Sequence, residues 1–141
     1  MRDAVRCLVN ATRGQNGLPV LRASERLTAA AERHSADMVR RRYFEHVSPD
    51  GRTVADRVKE TGYLSGAGDW ALGEDIGWGT GSLGTPAAIV QAWMNSASHR
   101  AVILSRRYHE AGVGIARGLP VSGVAGAATG ATFVLDAGMA R

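Results

Sequence analysis

Apolar residues recur at helical spacing in four stretches of the chain. Val5, Leu8, Val9 and Thr12 predict a first helix over residues 3–13, closed by the turn-forming run Gly14-Gln15-Asn16-Gly17-Leu18-Pro19. From Glu25 to about Arg42, Leu27, Ala30, Ala31, His34, Met38 and Arg41 keep the three-and-four spacing, with arginines and acids on the other face. The turn Ser48-Pro49-Asp50-Gly51 follows, and then Thr53 and Asp56 form a capping-box pattern before a short helix through Val54, Val58 and Thr61 that ends at Gly62. Thr85-Pro86 reads as an N-cap with proline at the first helical position, and Ile89, Val90 and Trp93 carry an amphipathic helix into Met94.

Three further segments read as strands. Leu72 to Gly79 mixes Ile76 and Trp78 with glycines and two acids, which suits a strand approached closely on one side. Ala111, Val113 and Ile115 alternate, as do Phe133 and Leu135, so two terminal strands flank the loop from Gly118 to Gly130. The pattern predicts an α+β fold with helices covering a small antiparallel sheet, as one domain over residues 1–141 without internal repeats.

Composition agrees with a packed core: 141 residues, 45% hydrophobic and 21% charged, can bury roughly two thirds of the surface an unfolded chain exposes. Lys+Arg total 17 against 13 acids, and every basic residue but Lys59 is arginine. The runs Arg40-Arg41-Arg42 and Arg106-Arg107 are short and carry no interleaved aromatics, so a solvated basic face is the better reading and nucleic acid is not an expected partner. No stretch approaches the ~18 apolar residues of a membrane-spanning helix. Met1-Arg2-Asp3 does not open a secretory signal, so a secreted protein would have this chain begin after its signal. The lone Cys7 lies in an apolar-periodic segment, where a buried, inert thiol is expected.

Gly79-Thr80-Gly81-Ser82-Leu83-Gly84 matches G-x-G-x-x-G, yet no Asp or Glu follows between Asp75 and Glu110 to bind a ribose, so it reads as a flexible loop. Neither a G-x-S-x-G elbow nor a phosphate-binding G-x-x-x-x-G-K-[ST] loop is present. The remaining candidates are His46, Glu74 and Asp75, His99 and the pair His109-Glu110. Two imidazoles brought together by folding can hold zinc, with a glutamate as ligand, orienter or base. Against this, each histidine can simply satisfy a local hydrogen bond, and His34 on its apolar stripe reads as a core residue.

Read in order, these residues resemble a known family. His34-Ser35-x-Asp37-Met38, Tyr43-Phe44-x-His46-x-Ser48-Pro49-Asp50-Gly51, Gly73-Glu74-Asp75-Ile76-Gly77-Trp78-Gly79, Trp93-Met94-Asn95-Ser96-x-x-His99-Arg100 and Glu110-x-Gly112-Val113-Gly114 are similar to the blocks of bacterial CAP (SCP-like) domains. The likeness runs from Asn10-x-x-Arg13 to Phe133-Val134-Leu135-Asp136-x-Gly138. It implies a three-layer α-β-α sandwich, a secreted or cell-envelope setting, and a cleft of two histidines and two acids that in some members binds a divalent metal such as zinc. His46 and His99 match the family histidines and become the metal candidates; Glu74 matches the glutamate of the Gly-Glu-Asn motif and is the catalytic candidate. Ser96 stands where eukaryotic members carry the second glutamate, which leaves Glu110 to supply the fourth group of the tetrad from a neighbouring strand. Asp75 replaces the motif asparagine; beside an ionised Glu74 its pKa would be raised.

Three functions compete. The leading one is a binding module, monomeric with self-association left open, whose cleft takes a divalent metal and a small or lipid-like ligand near Trp70, Trp78 and Trp93. The second is a metal-assisted hydrolase of peptide or cell-wall material, and the third a structural or protein-interaction domain in which the tetrad has become a hydrogen-bonded network.

Overall fold

The computed structural model describes residues 1–141. Its elements follow in the order α1 (Arg2–Gln15), β1 (Arg22–Ala23), α2 (Glu25–Arg41), α3 (Val54–Glu60), β2 (Trp70–Gly79), α4 (Pro86–Met94), α5 (Ala97–Ile103), β3 (Glu110–Arg117) and β4 (Ala131–Ala140). The sheet order is β1-β3-β4-β2. β4 pairs antiparallel with both β2 and β3, while β1 adds a two-residue parallel edge to β3. Helices α2 and α3 cover one face and α1, α4 and α5 the other, which is the expected α+β sandwich of three layers.

The start signals act as read. Thr53 accepts from the Asp56 amide while the Asp56 side chain returns to the Thr53 amide, and Thr85 caps α4 ahead of Pro86. Ser24 does the same for α2 by accepting from Leu27. Two elements escape the pattern, α5 because it spans only seven residues with Ile103 alone fully buried, and β1 because two residues show no alternation. Cys7 is a correction: it is exposed, not buried. Helix α1 turns Val5, Val9 and Arg13 inward at i, i+4 and i+8, and Cys7, midway between the first two, falls on the outer face. Arg13 was not expected inside; it donates to the carbonyls of Pro19, Ile103 and Ser105, tying α1 to the end of α5.

Strand register decides which side chains share a face. Toward α2, one rung across three strands reads Glu74, Asp136, Gly112, and the next reads Leu72, Gly138, Glu110. Toward α1 and α4, Asp75, Leu135 and Val113 form a rung inside the larger apolar core with Phe133, Ile89 and Trp93. Helix α2 can lie this close to the sheet because Gly112 and Gly114 have no side chains: a methyl at either would run into the backbone of Leu27–Thr28 or of Ala31–Glu32.

Gly114→Ala is therefore expected to destabilise the fold by about 1–3 kcal/mol, since α2 must shift off β3 to admit the methyl. Equilibrium denaturation reads this directly; a midpoint equal to wild type would mean that α2 does not approach β3 so closely.

Candidate functional site

Glu74 projects from β2, an edge strand, toward the α2–α3 layer, and its carboxylate is almost wholly buried. A carboxylate in that position needs charge and donors. Arg57, on the inward side of α3 beside Val58, supplies both: one terminal nitrogen (Nη2) donates to Oε1 at 3.0 Å and Oε2 at 2.9 Å. The other (Nη1) donates to the carbonyls of His46 at 2.9 Å and Arg52 at 3.1 Å. Arg57 thus grips both ends of the 46–52 loop, and that loop places His46 against Glu74.

His46 Nδ1 lies 2.9 Å from Glu74 Oε1, while half of its side chain, 52%, stays exposed. The Nδ1–H donates to the carboxylate, which raises the His46 pKa above its ordinary value, burial opposing. Nε2, on the far side of the ring, makes no hydrogen bond within the protein. Behind this pair, His34 on α2 is fully buried, as read, but it also belongs to the site: Nε2 donates to the Glu45 carbonyl at 3.0 Å and sits 3.6 Å from Glu74 Oε1. Burial lowers the His34 pKa and keeps it neutral.

Three carboxyls crowd this part of β2 and β4, and only Glu74 carries the charge. Burial works against it, but the His46 hydrogen bond, the neighbouring Asp136 and the Arg57 charge outweigh burial and hold its pKa well below the carboxylate range. Asp136, directly opposite across the ladder and fully buried, goes the other way: burial and the Glu74 charge push it well up. Neither Asp136 oxygen has a hydrogen-bond partner, and burial beside the charged Glu74 favours the neutral acid at Asp136. Asp75, on the opposite face, lies in its strand between Gly73, against which the Tyr108 ring packs, and Gly77, beside the Trp93 indole. Both of its oxygens are buried without a partner, and burial first, then the Glu74 charge, pushes its pKa up to about 8.

The remaining candidates are only partly assembled. His99 lies on α5, in the other layer, and makes no side-chain hydrogen bond; burial and the charge of His46 lower its pKa. Glu110 does not join the site. It lies two strands and one rung from Glu74, about 10 Å across the sheet and about 7 Å along it, and Tyr63 donates to it at 2.7 Å. Trp93 is core, with its indole N–H on the Ile76 carbonyl, while Trp70 is 46% exposed and Trp78 half-buried. Ser48 donates to Asp50, and Ser96 pairs with Ser98, so no serine hydroxyl is bonded to His46 as a nucleophile would be. Sequence reasoning missed Arg57 and Asp136. The signal for both was a charge in an apolar pattern: Arg57 beside the stripe of Val54, Val58 and Thr61, and Asp136 inside Phe133-Val134-Leu135-Asp136-Ala137.

Residues 7–125 match the family described as CAP, the cysteine-rich secretory protein family. The chain belongs to the CAP family. Among relatives, this CAP domain is 37% identical over 107 residues to YkwD of Bacillus subtilis, covering 76% of this chain and 39% of that protein. It is 35% identical over 111 residues to the B. subtilis membrane protein YlbC, covering 78% of this chain and 30% of the other. The chain thus spans well under half of the curated relatives it matches. An extracellular SCP-domain protein of Bacillus anthracis superposes with a TM-score of 0.76 at 26% identity, over 96% of this chain and 39% of its own. An outer surface protein of Borrelia burgdorferi shares the fold with a TM-score of 0.80 at 17% identity, over 99% of this chain and 92% of its own.

The residues present do not form a complete ligand set for a divalent metal. No three or more His, Cys, Asp and Glu side chains converge as ligands, and both oxygens of Glu74 already face the Arg57 cation. Glu74 stands behind the His46 ring as an orienting group rather than as a free ligand.

Asp75 yields a test of the charge assignment. Its folded pKa of about 8 lies above the value of 3.8 for a free side chain, so between these values the folded state holds a proton that the unfolded state has lost. The stability associated with Asp75 is therefore full below about pH 4 and is lost progressively up to about pH 8. Asp75→Asn removes that dependence and is expected to stabilise by roughly 4 kcal/mol near pH 7, with little change near pH 4, in urea denaturation. Equal differences at both pH values would show that Asp75 is ionised in the folded protein.

Proposed function

We propose that this CAP domain acts outside the cytoplasm as a ligand-binding module, and that its ligand engages Nε2 of His46. The observation that carries the reading is the 2.9 Å contact of His46 Nδ1 with a buried carboxylate while the other side of the ring stays open to solvent. The match at 26% identity to an extracellular protein supports the setting, and no helix is long and apolar enough to cross a membrane. A divalent cation is the ligand class this chemistry favours, because a carboxylate behind Nδ1 fixes the tautomer that offers Nε2. His46 and His99 would hold it, the second being an imidazole kept neutral by its depressed pKa. When bound, such an ion would polarise a water or an oxygen of a further ligand.

The raised pKa of His46 means that a metal must displace a proton, so affinity should increase with pH. Calorimetric titration of Zn²⁺ into metal-stripped protein at about pH 8 is expected to give a single saturable site that tightens relative to about pH 6, and no binding in the His46→Ala/His99→Ala variant. Binding that survives the double substitution, or none in wild type, rejects the metal reading. The hold of Arg57 on both Glu74 oxygens favours a second reading, a structural network without a ligand. That reading predicts that the double variant loses stability and no ligand.

A further inference from the structure

We infer that the pocket between α2, the 43–52 loop and α3 binds a small ligand bearing an oxyanion, either a phosphate ester or a polycarboxylate. The pocket has a volume of about 410 Å³, within the range of small-molecule sites. Only Ala36 and Tyr43 on its wall are apolar, and five arginines line it: Arg33, Arg40, Arg41, Arg52 and Arg57. His46 is not part of this wall, but His34 and Arg57, which back Glu74, line it too, so the pocket adjoins the His46 site while needing no metal there.

The charges on the wall do not cancel. Asp37 is taken by Arg40 and Arg41, Asp50 by Arg41, Glu60 by Arg52, and Arg57 is balanced by Glu74. Arg33, an exposed residue, makes no hydrogen bond or ion pair within the protein, which leaves one guanidinium of the wall in excess over the acids. Arg57, buried on the same wall, keeps its guanidinium on Glu74 and the loop carbonyls and contributes positive charge to the cavity. Planar guanidinium forks match the oxygens of phosphate and carboxylate, and several around one cavity give an oxyanion the geometry that a single surface arginine does not. Asp37 orients Arg40, at 2.6 Å, and Arg41 on the same wall.

The test is calorimetric titration with inorganic phosphate and with citrate, separately, at ionic strength held constant with sodium chloride. Wild type is expected to show saturable one-site binding to at least one probe, and the tighter probe identifies the ligand class. Arg33→Ala, which removes no hydrogen bond or ion pair within the protein, is expected to weaken binding about tenfold or more, and Arg41→Ala to weaken it as well. Arg107→Ala, an exposed arginine outside the pocket, should leave it within about twofold. Failure of both probes to saturate, or an Arg33→Ala affinity equal to wild type, overturns the assignment, because the arginines would then form only a solvated charge network.

Discussion

The buried ion pair of Arg57 with Glu74 is the interaction on which the rest of the site depends. Breaking such a pair from one side costs about 3–5 kcal/mol, because the remaining charge is stranded away from water. Its effect here is architectural as well as energetic. The same guanidinium that neutralises Glu74 also holds the carbonyls of His46 and Arg52, so the fold cannot keep the carboxylate without also fixing the loop that presents the imidazole. The short helix that bears Arg57 starts at the Thr53 capping box, one residue beyond that loop, so the cap sets where the arginine emerges.

Charge balance explains why only one of three neighbouring acids is ionised. One buried cation can stabilise one buried anion, and geometry gives it to Glu74, which also receives the His46 N–H. Asp136 shares the rung but makes no such contact, and Asp75 is turned by the pleat into the apolar core. Both are therefore held as neutral acids. Asp75 does so in the layer that also holds Trp93 and Tyr108, whose polar tips bond to the Ile76 and Leu72 carbonyls of the exposed edge strand.

Much of the fold was legible in the sequence because its signals are local. Caps, the stripe from Leu27 to Met38, and the alternation of Val113 and Ile115 depend on near neighbours, and the elements they predict are present. The short α5 and the two-residue β1 were not legible, since neither is long enough to complete a period. The same limit applies to the site. His46, Glu74 and His99 could be named from a family resemblance, but whether Glu110 reaches Glu74 depends on strand order, which no local pattern encodes: β4 lies between their strands. Arg57 sat in plain view on the inward side of a predicted helix, and a charged residue among apolar ones was the clue to a buried partner.

The central claim is that His46 is held by an ionised Glu74, itself held by Arg57. The most direct measurement is an NMR pH titration of the His46 ring in wild type and in Glu74→Gln. The account predicts a wild-type His46 pKa above the ordinary 6.5 that falls in the variant, because the amide can accept the Nδ1–H but carries no charge to favour the imidazolium. A His46 that titrates at about 6.5 in both proteins would contradict it, and would mean that the 2.9 Å contact does not persist in solution.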